Sequence, residues 1–132
     1  LIYAAFKALL NPSLDNRLVR YVYELKMLVI NGEYPDFFAC RVCGAKDNAA
    51  GFSISHNGIV CDGCIRNIAD AITLCGGTVY TLQYIVYSEI GRLFTFRVSD
   101  EVLEELRMVM ARCMNTYVDR RMNSLEILDA LI

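Results

Sequence analysis

Two pairs of cysteines carry the clearest chemistry in the chain. They form the motifs Cys-Arg-Val-Cys-Gly, which begins at Cys40, and Cys-Asp-Gly-Cys, which begins at Cys61, and seventeen residues separate the pairs. This spacing is typical of a tetrahedral four-thiolate site, because a tight turn in each pair points both sulfurs at one ion. Glycine at Gly44 or Gly63 tolerates the positive φ that such turns need. The sequence predicts one structural zinc, with no position left for water or substrate, bound by Cys40, Cys43, Cys61 and Cys64.

Disulfides or plain buried thiols are the alternative explanation for these cysteines. The start of the chain lacks the basic residues, long apolar run and cleavage site of a secretory signal. No apolar run approaches the ~18 residues that span a bilayer. We therefore expect a cytoplasmic protein, where paired cysteines more often bind metal than each other. The remaining Cys75 and Cys113 have apolar neighbours and are expected to be buried, unreactive thiols.

Enzymatic functions find little support in the residue types. His56 is the only histidine, lies beside Asn57-Gly58 and is expected to be exposed in a turn. A zinc deaminase needs His-x-Glu and an open metal position, and a hydrolase needs a base with a partner. The sequence therefore favours a protein that is not an enzyme. A rubredoxin-like electron carrier and a zinc-stabilised protein-interaction module of another nucleic-acid complex stay open as alternatives.

Length and charge limit the possible partners. A chain of 132 residues with 55% hydrophobic residues is expected to form one domain. Its formal net charge is −2, and one zinc on four thiolates would bring it to about −4. This is unfavourable for a dedicated nucleic-acid binder.

Helical periodicity dominates both ends of the chain. Ser13 is expected to cap a helix that ends before Gly32, with a shorter helix ahead of it and Asn11-Pro12-Ser13 between them. The apolar faces of the two helices are formed by Tyr3, Phe6, Leu9 and Leu10, and by Leu14, Leu18, Tyr21, Val22, Leu25, Leu28 and Val29.

Between residues 33 and 66 the helical period disappears. Residues 52–54 and 59–60 are expected to form two short strands around Asn57-Gly58, a strong hairpin signal. A short helix is predicted over 64–72, and Gly76-Gly77 is expected to break the chain before the next helix. A module this small has little core of its own, so metal would supply most of its order.

The last part of the chain predicts the longest helix. Ser99 is expected to cap it, and it should run to about Met122 with acidic first turns. Arg120 and Arg121 should close its last turn, where they complement the helix dipole. Asn123, with Glu126 three residues later, is expected to open a separate final helix over 125–131.

Several stretches resemble the C-terminal region of the bacterial recombination mediator RecO. They include a helix ending in Tyr23-Glu24-Leu25-Lys26-Met27-Leu28, the approach Asn31-Gly32-Glu33-Tyr34-Pro35 and the first cysteine motif. Further matches are Gly51-Phe52-Ser53, Gly58-Ile59-Val60-Cys61 and the stretch from Tyr117 to Leu125. Together they cover nearly all of the chain. Asn123 departs from the family pattern, because that position is often basic in relatives.

The resemblance implies a mainly α fold over residues 1–132 with a zinc-ribbon-like β-hairpin insertion at 33–66. It also implies a preceding oligonucleotide-binding barrel that is absent from these residues. The family acts in DNA repair and recombination: it binds single- and double-stranded DNA, anneals strands, works with RecR and the tail of single-strand-binding protein, and helps load recombinase. Its setting is the bacterial cytoplasm and nucleoid. The residues that we interpret as DNA contacts are Arg41, Lys46 and Arg66 near the cysteines, and Arg17 and Arg20 on the first long helix. The first three have an equally good explanation as neutralisers of the thiolates.

Overall fold

The described residues form three α-helices and one small sheet. The structure is a computed structural model that describes Lys7, Leu10, residues 15–89 and residues 96–131, with side chains as far as Tyr117. The helices are α1 (Asn16–Ile30), α2 (Gly76–Tyr87) and α3 (Asp100–Leu131). The strands are β1 (Ala49–Ser53), β2 (Gly58–Cys61) and β3 (Ile72–Thr73). About half of the chain is helical, so the mainly α prediction is confirmed only in part.

Helix α1 begins two residues later than the sequence predicted. Asp15, not Ser13, is the N-cap, and its carboxylate accepts a hydrogen bond of 2.8 Å from the backbone N–H of Arg17. Asp15 takes the N-cap position because a charged acceptor there forms strong hydrogen bonds with the free amides of the first helical turn. Gly32 follows the helix with a φ of +76°, which confirms the predicted C-terminal stop. The predicted shorter helix and its Asn11-Pro12-Ser13 break lie outside the described residues.

The sheet has the order β2-β1-β3 with antiparallel pairs. The predicted hairpin is confirmed, and Asn57 adopts a φ of +61° in its turn. The segment before the first cysteine pair extends the sheet beyond β2, because Asp36 accepts from the backbone N–H of Ile59 at 2.9 Å. Gly58 is required at this contact, since a Cβ there would collide with the carbonyl oxygen of Asp36.

The region between β2 and α2 differs from its prediction. The helix predicted over 64–72 is only a 3₁₀ turn at Ile65–Asn67, because Ile72 pairs with Phe52 and forms the third strand. Gly76-Gly77 does not break the chain but forms the first turn of α2. Gly77 has a packing reason there, because a Cβ would lie 3.3 Å from Cγ2 of Val102 on α3.

Helix α3 is one continuous element, so the prediction of a separate final helix was wrong. The run from Asp100 to Leu131 contains neither glycine nor proline, and nothing in its sequence interrupts the hydrogen-bond ladder. Ser99 accepts from the backbone N–H of Val102 at 3.3 Å, as predicted for the cap. Arg120 and Arg121 consequently lie inside the helix and not in its last turn.

One hydrophobic core joins the helices to the sheet. Residues 33–73, which we call the β module, contribute Phe37, Phe52 and Ile59 to it, and Phe37 and Phe52 stack with ring centroids 6.0 Å apart. A smaller cluster on the other face of the hairpin contains Val60. The module therefore shares the helical core as well as having a small apolar cluster of its own, so metal is not the only source of its order. Within the described residues, no helix is long and apolar enough to cross a membrane.

Candidate metal centre

The first cysteine pair lies on a turn that the backbone holds closed. The N–H of Cys40 donates to the carbonyl oxygen of Ala45, and the N–H of Gly44 donates to that of Cys40, both at 2.8 Å. Gly44 has a φ of +81°, as predicted. The alternative position, Gly63, is not among the residues with positive φ. This turn points the sulfur of Cys40 toward the second pair, where it accepts from the backbone N–H of Cys61 at 3.3 Å.

The second cysteine pair begins at the end of β2. The N–H of Cys64 donates to the carbonyl oxygen of Cys61 at 3.1 Å, and the 3₁₀ turn follows directly. The N–H of Asp62 donates to Asn48 at 3.0 Å and ties this turn to the segment before β1. The pairing of β1 with β2 thus brings the end of β2 beside the turn that carries Cys40 and Cys43.

The four sulfurs form a compact group. All lie within 4.8 Å of one another, and those of Cys43 and Cys61 are 3.6 Å apart. Tetrahedral Zn–S bonds of about 2.3 Å place sulfurs about 3.8 Å apart, so the donor set and its spacing fit a zinc ion. Cys40 and Cys61 are buried, whereas Cys43 is exposed. An ion would therefore lie at the edge of the module with one side toward solvent.

The protein environment shifts the pKa values of Cys40 and Cys64 in opposite directions. Burial opposes ionisation of Cys40, but backbone N–H groups of Cys43, Cys61 and Val42 outweigh it and lower its pKa to about 6. The thiol of Cys61, together with burial, raises the pKa of Cys64 to about 12. Four neighbouring thiolates repel one another, so a divalent cation is needed for all of them to ionise.

An aspartate pins the hairpin turn. Asp70 accepts from the hydroxyl of Ser53 at 2.7 Å and from the backbone N–H of Ser55 at 3.0 Å. Burial raises the pKa of Asp70, but these hydrogen bonds outweigh it and bring it to about 2. His56 is exposed in this turn, as predicted, and its Nδ1 lies 3.0 Å from Oγ of Ser53. Because Asp70 bonds the serines and not the histidine, the group fixes a turn and does not form a catalytic triad.

Helix α3 is hydrogen-bonded both to the hairpin turn and to Asp70. The guanidinium of Arg112 donates to the carbonyl oxygen of Asp70 at 2.5 Å. The hydroxyl of Tyr117 donates to the side-chain oxygen of Asn57. The β module is therefore bonded to α3 at both sides of its turn. Sequence patterns missed these contacts because their partners are 42 and 60 residues apart.

A buried lysine caps α2. Lys26 is only 8% exposed, and its ammonium donates to the carbonyl oxygens of Ile85, Val86 and Ser88. Burial lowers its pKa, and the negative end of the helix dipole partly offsets that cost. The sequence offered no signal for this role, because a lysine in a helix is normally exposed.

The two remaining cysteines lie apart from the four-thiol group. Cys113 is fully buried, which confirms the prediction of burial, and burial raises its pKa to about 12. Cys75 is half-buried at the N-cap of α2, so the prediction of burial was wrong for it. Its N–H donates to Glu105 at 2.6 Å. Cys75, Glu101 and Glu105 also place donor atoms within 4.8 Å of one another. The hydrogen bond from the N-cap of α2 accounts for the more buried of the two carboxylates, that of Glu105.

The five predicted DNA contacts divide into paired and unpaired cations. Arg17 is bonded to Asp15 at 2.9 Å and Arg20 to Glu24 at 3.0 Å. Arg41 donates to the carbonyl oxygen of His56 at 3.1 Å and lies 3.8 Å from Asp36. In the described part of the chain, neither Lys46 nor Arg66 forms an ion pair, and both are exposed. Phosphate would meet least competition at these two.

Comparison with known proteins identifies the family. The family described as "Recombination protein O C terminal" matches residues 1–126. The chain belongs to this RecO family. It is 32% identical over 111 residues to DNA repair protein RecO of Acetivibrio thermocellus, covering 83% of this chain and 44% of that relative. The resemblance inferred from the cysteine motifs and flanking helices is thereby confirmed.

Two Bacillus relatives give the same family and similar coverage. DNA repair protein RecO of Bacillus velezensis is 28% identical over 99% of this chain and 51% of its own length. The protein of the same name from Bacillus subtilis is 26% identical over 92% of this chain and 48% of its own length. The chain thus spans about half the length of the curated relatives it matches. No solved structure matches it significantly.

Proposed function

We propose that this chain is a zinc-stabilised, non-enzymatic part of a mediator of DNA repair and recombination. The observation that carries the proposal is the convergence of four thiols within 4.8 Å in a chain that matches the RecO family over residues 1–126. Four thiolates complete the tetrahedral coordination of one ion. The metal would therefore connect the hairpin to the two cysteine turns and leave no position for a reacting water.

Metal analysis tests the zinc assignment. The purified chain is expected to be colourless and to contain about one zinc, because four thiolates form one closed site. Visible thiolate-to-iron absorption that changes on reduction would contradict it and favour the rubredoxin-like alternative. Inductively coupled plasma mass spectrometry with ultraviolet–visible spectroscopy distinguishes these outcomes.

DNA is the proposed ligand, in both single- and double-stranded forms. Lys46 and Arg66 support this, since both are exposed near the thiol group and free of ion pairs among the described residues. Phosphate contacts with such cations carry no sequence information and depend on salt. The oligonucleotide-binding barrel inferred from the resemblance would supply the larger part of the affinity.

Salt titration tests the phosphate contacts. Lys46→Ala and Arg66→Ala should each weaken binding to any DNA sequence and reduce the slope of log affinity against log salt by about 1. Arg17→Ala and Arg20→Ala are matched controls, because ion pairs already occupy those cations. Unchanged slopes for Lys46→Ala and Arg66→Ala would reject both residues as phosphate contacts. Fluorescence anisotropy with labelled oligonucleotides at several salt concentrations provides the measurement.

The proposed mediator role has its own partners. It comprises strand annealing, association with RecR, recognition of the single-strand-binding protein tail, and help in loading recombinase. A polypeptide that carries this chain and its preceding barrel should accelerate annealing of complementary strands coated with single-strand-binding protein, and should bind RecR. Neither activity should require nucleotide hydrolysis. A chain-dependent catalytic turnover, or no effect on annealing, would contradict the proposal.

A further inference from the structure

Helix α2 exposes two aromatic side chains. The aliphatic Val79, Leu82 and Ile85 are buried, whereas the tyrosines Tyr80 and Tyr87 are 69% and 87% exposed. Scattered exposed apolar residues need no explanation, but two aromatic residues that share the solvent side of one short helix form a surface. The core that buries the aliphatic residues therefore leaves most of both rings uncovered.

The two exposed tyrosines point the same way. They are seven residues apart, so an α-helix places them within about 20° of one another around its axis and about 10 Å apart along it. Gln83 lies between them, and its amide donates to the carbonyl oxygen of Phe37 at 2.7 Å. This bond ties Phe37 to α2, and Phe38, the next residue in the chain, is 43% exposed. We call Tyr80, Tyr87 and Phe38 the aromatic face.

A cleft with a cation borders the aromatic face. Tyr80, Tyr84 and Arg97 all line a cavity of about 350 Å³. The ring of Tyr84 packs edge-on against Phe96 with centroids 5.1 Å apart, which fixes that wall of the cleft. Arg97 is exposed, and no carboxylate in the described ranges pairs with it. The site therefore combines flat aromatic surface with one available guanidinium.

The charge distribution around the face suits an anionic strand. The chain as a whole carries a net charge of −2, yet residues 71–88 contain no charged side chain. A phosphate over the middle of α2 meets no carboxylate from this stretch, since the next acidic residue in the chain, Glu89, lies beyond the C-cap of α2. Among the described residues that line the cleft, Arg97 is the cation. Aromatic rings spaced along a groove, with a cation beside them, are the features on which successive bases of single strands stack.

We propose that the aromatic face and the Arg97 cleft bind single-stranded nucleic acid by base stacking. This inference rests on the proposed DNA role and assigns it a surface separate from Lys46 and Arg66. Unpaired bases stack on Tyr80, Tyr87 and Phe38, while Arg97 contacts phosphate. Because a duplex hides the base faces, this surface discriminates single strands from duplexes, which phosphate contacts alone do not.

Oligonucleotide binding tests the stacking surface. A fluorescein-labelled oligothymidine of about 15 nucleotides is titrated into the zinc-supplemented chain, and anisotropy is compared with an abasic strand and a duplex of equal length. Tyr80→Ala and Tyr87→Ala should each weaken oligothymidine binding about fivefold or more, and leave abasic-strand and duplex binding unchanged. Tyr80→Phe and Tyr87→Phe keep the rings and should bind like the parent chain. Ile30→Ala, at another exposed apolar residue, is the matched control.

Intrinsic fluorescence provides a second readout. The chain has eight tyrosines and no tryptophan, so quenching by a stacked base is observed directly in the tyrosine emission. Oligothymidine should quench the parent chain and quench the Tyr80→Ala/Tyr87→Ala variant less. Because both side chains are exposed, their removal should leave the melting temperature unchanged.

The outcomes separate the two proposals. If the alanine variants bind oligothymidine like the parent chain while Lys46→Ala and Arg66→Ala weaken binding, the stacking surface is rejected and the DNA role stands. If the alanine variants lose abasic-strand binding equally, stacking is rejected as well. If the parent chain binds no oligonucleotide, the aromatic face is not a nucleic-acid surface; the DNA role of this chain fails with it, and a protein-docking role would then be tested with RecR.

Discussion

The ammonium of Lys26 lies 2.7 Å from the carbonyl oxygen of Ser88, the C-cap of α2. It also donates to the carbonyl oxygens of Ile85 and Val86, at 3.3 and 3.2 Å. One side chain of α1 therefore satisfies carbonyls that the end of α2 leaves without helical partners. The contact fixes how α1 and α2 meet, and the helix dipole makes a cation favourable there.

Replacing this lysine should destabilise the fold. Lys26→Met keeps much of the apolar stem but removes the donor, leaving poorly solvated carbonyls unsatisfied, at a cost of about 1–3 kcal/mol. Urea denaturation monitored by circular dichroism measures the loss. Lys46→Met is the matched control, because Lys46 is exposed and should change stability by less than about 0.5 kcal/mol. Equal stability of the two variants would reject the capping role.

Loss of one metal ligand should destabilise the module. Cys43→Ser removes a thiolate from the four-sulfur group and should reduce the amount of zinc that the chain binds. The free energy of unfolding should fall by at least about 2 kcal/mol. Cys75→Ser is the control, since Cys75 lies outside this group and serine is a good N-cap. Zinc content and thermal melting are measured together. A chelator should lower the melting temperature of the parent chain more than it lowers that of the Cys43→Ser variant.

Stability should depend on Asp70 in acid. Its pKa is lowered from 3.8 to about 2 in the folded state, so its contribution is present above about pH 4 and is lost as pH falls toward 2. Asp70→Asn should therefore be less stable than the parent chain at neutral pH, and the difference should shrink as pH falls through that window. Denaturant melts of both chelated chains at several pH values measure it, which removes acid release of zinc as a variable. A constant difference down to pH 2 would contradict this role.

The hydroxyl of Tyr117 should contribute modestly to stability. Tyr117→Phe keeps the buried ring but removes the hydrogen bond to Asn57, and should cost about 0.5–1.5 kcal/mol. Hydrogen exchange should rise in the 54–57 turn more than in α1, because the lost bond anchors that turn. Uniform change across the chain would instead indicate a general packing defect.

Two glycines should respond oppositely to alanine. In Gly58→Ala the new Cβ meets the carbonyl oxygen of Asp36, so the β2 edge must shift and stability should fall. In Gly76→Ala the Cβ enters open space at the start of α2, where alanine is favoured over glycine by about 0.4–1 kcal/mol. Thermal melting of the two variants should therefore show shifts of opposite sign. A melting temperature of Gly58→Ala at or above that of the parent chain would show that the β2 edge tolerates a Cβ, and a lower one for Gly76→Ala would contradict the gain expected in α2.

Local patterns in the sequence determined most of the elements and the identity of the candidate ligands. The spacing within each cysteine pair, the positive φ at Gly44, the hairpin at Asn57 and the caps at Ser99 and Gly32 depend on a few neighbouring residues. Such preferences act over one turn, so residue types reveal them. They failed where two local signals competed, as at Ser13 and Asp15, or where a strand partner took Ile72.

Tertiary structure alone decided how those elements are joined. Lys26 with the end of α2, Arg112 with Asp70, and Tyr117 with Asn57 are pairs 42 to 62 residues apart along the chain. Nothing in either partner's neighbourhood encodes the pairing, because it arises only when helix packing brings the groups within hydrogen-bond distance. The same holds for the aromatic face. Any amphipathic helix exposes some residues, but the packing of α2 determined that Tyr80 and Tyr87 meet solvent while Val79, Leu82 and Ile85 are buried.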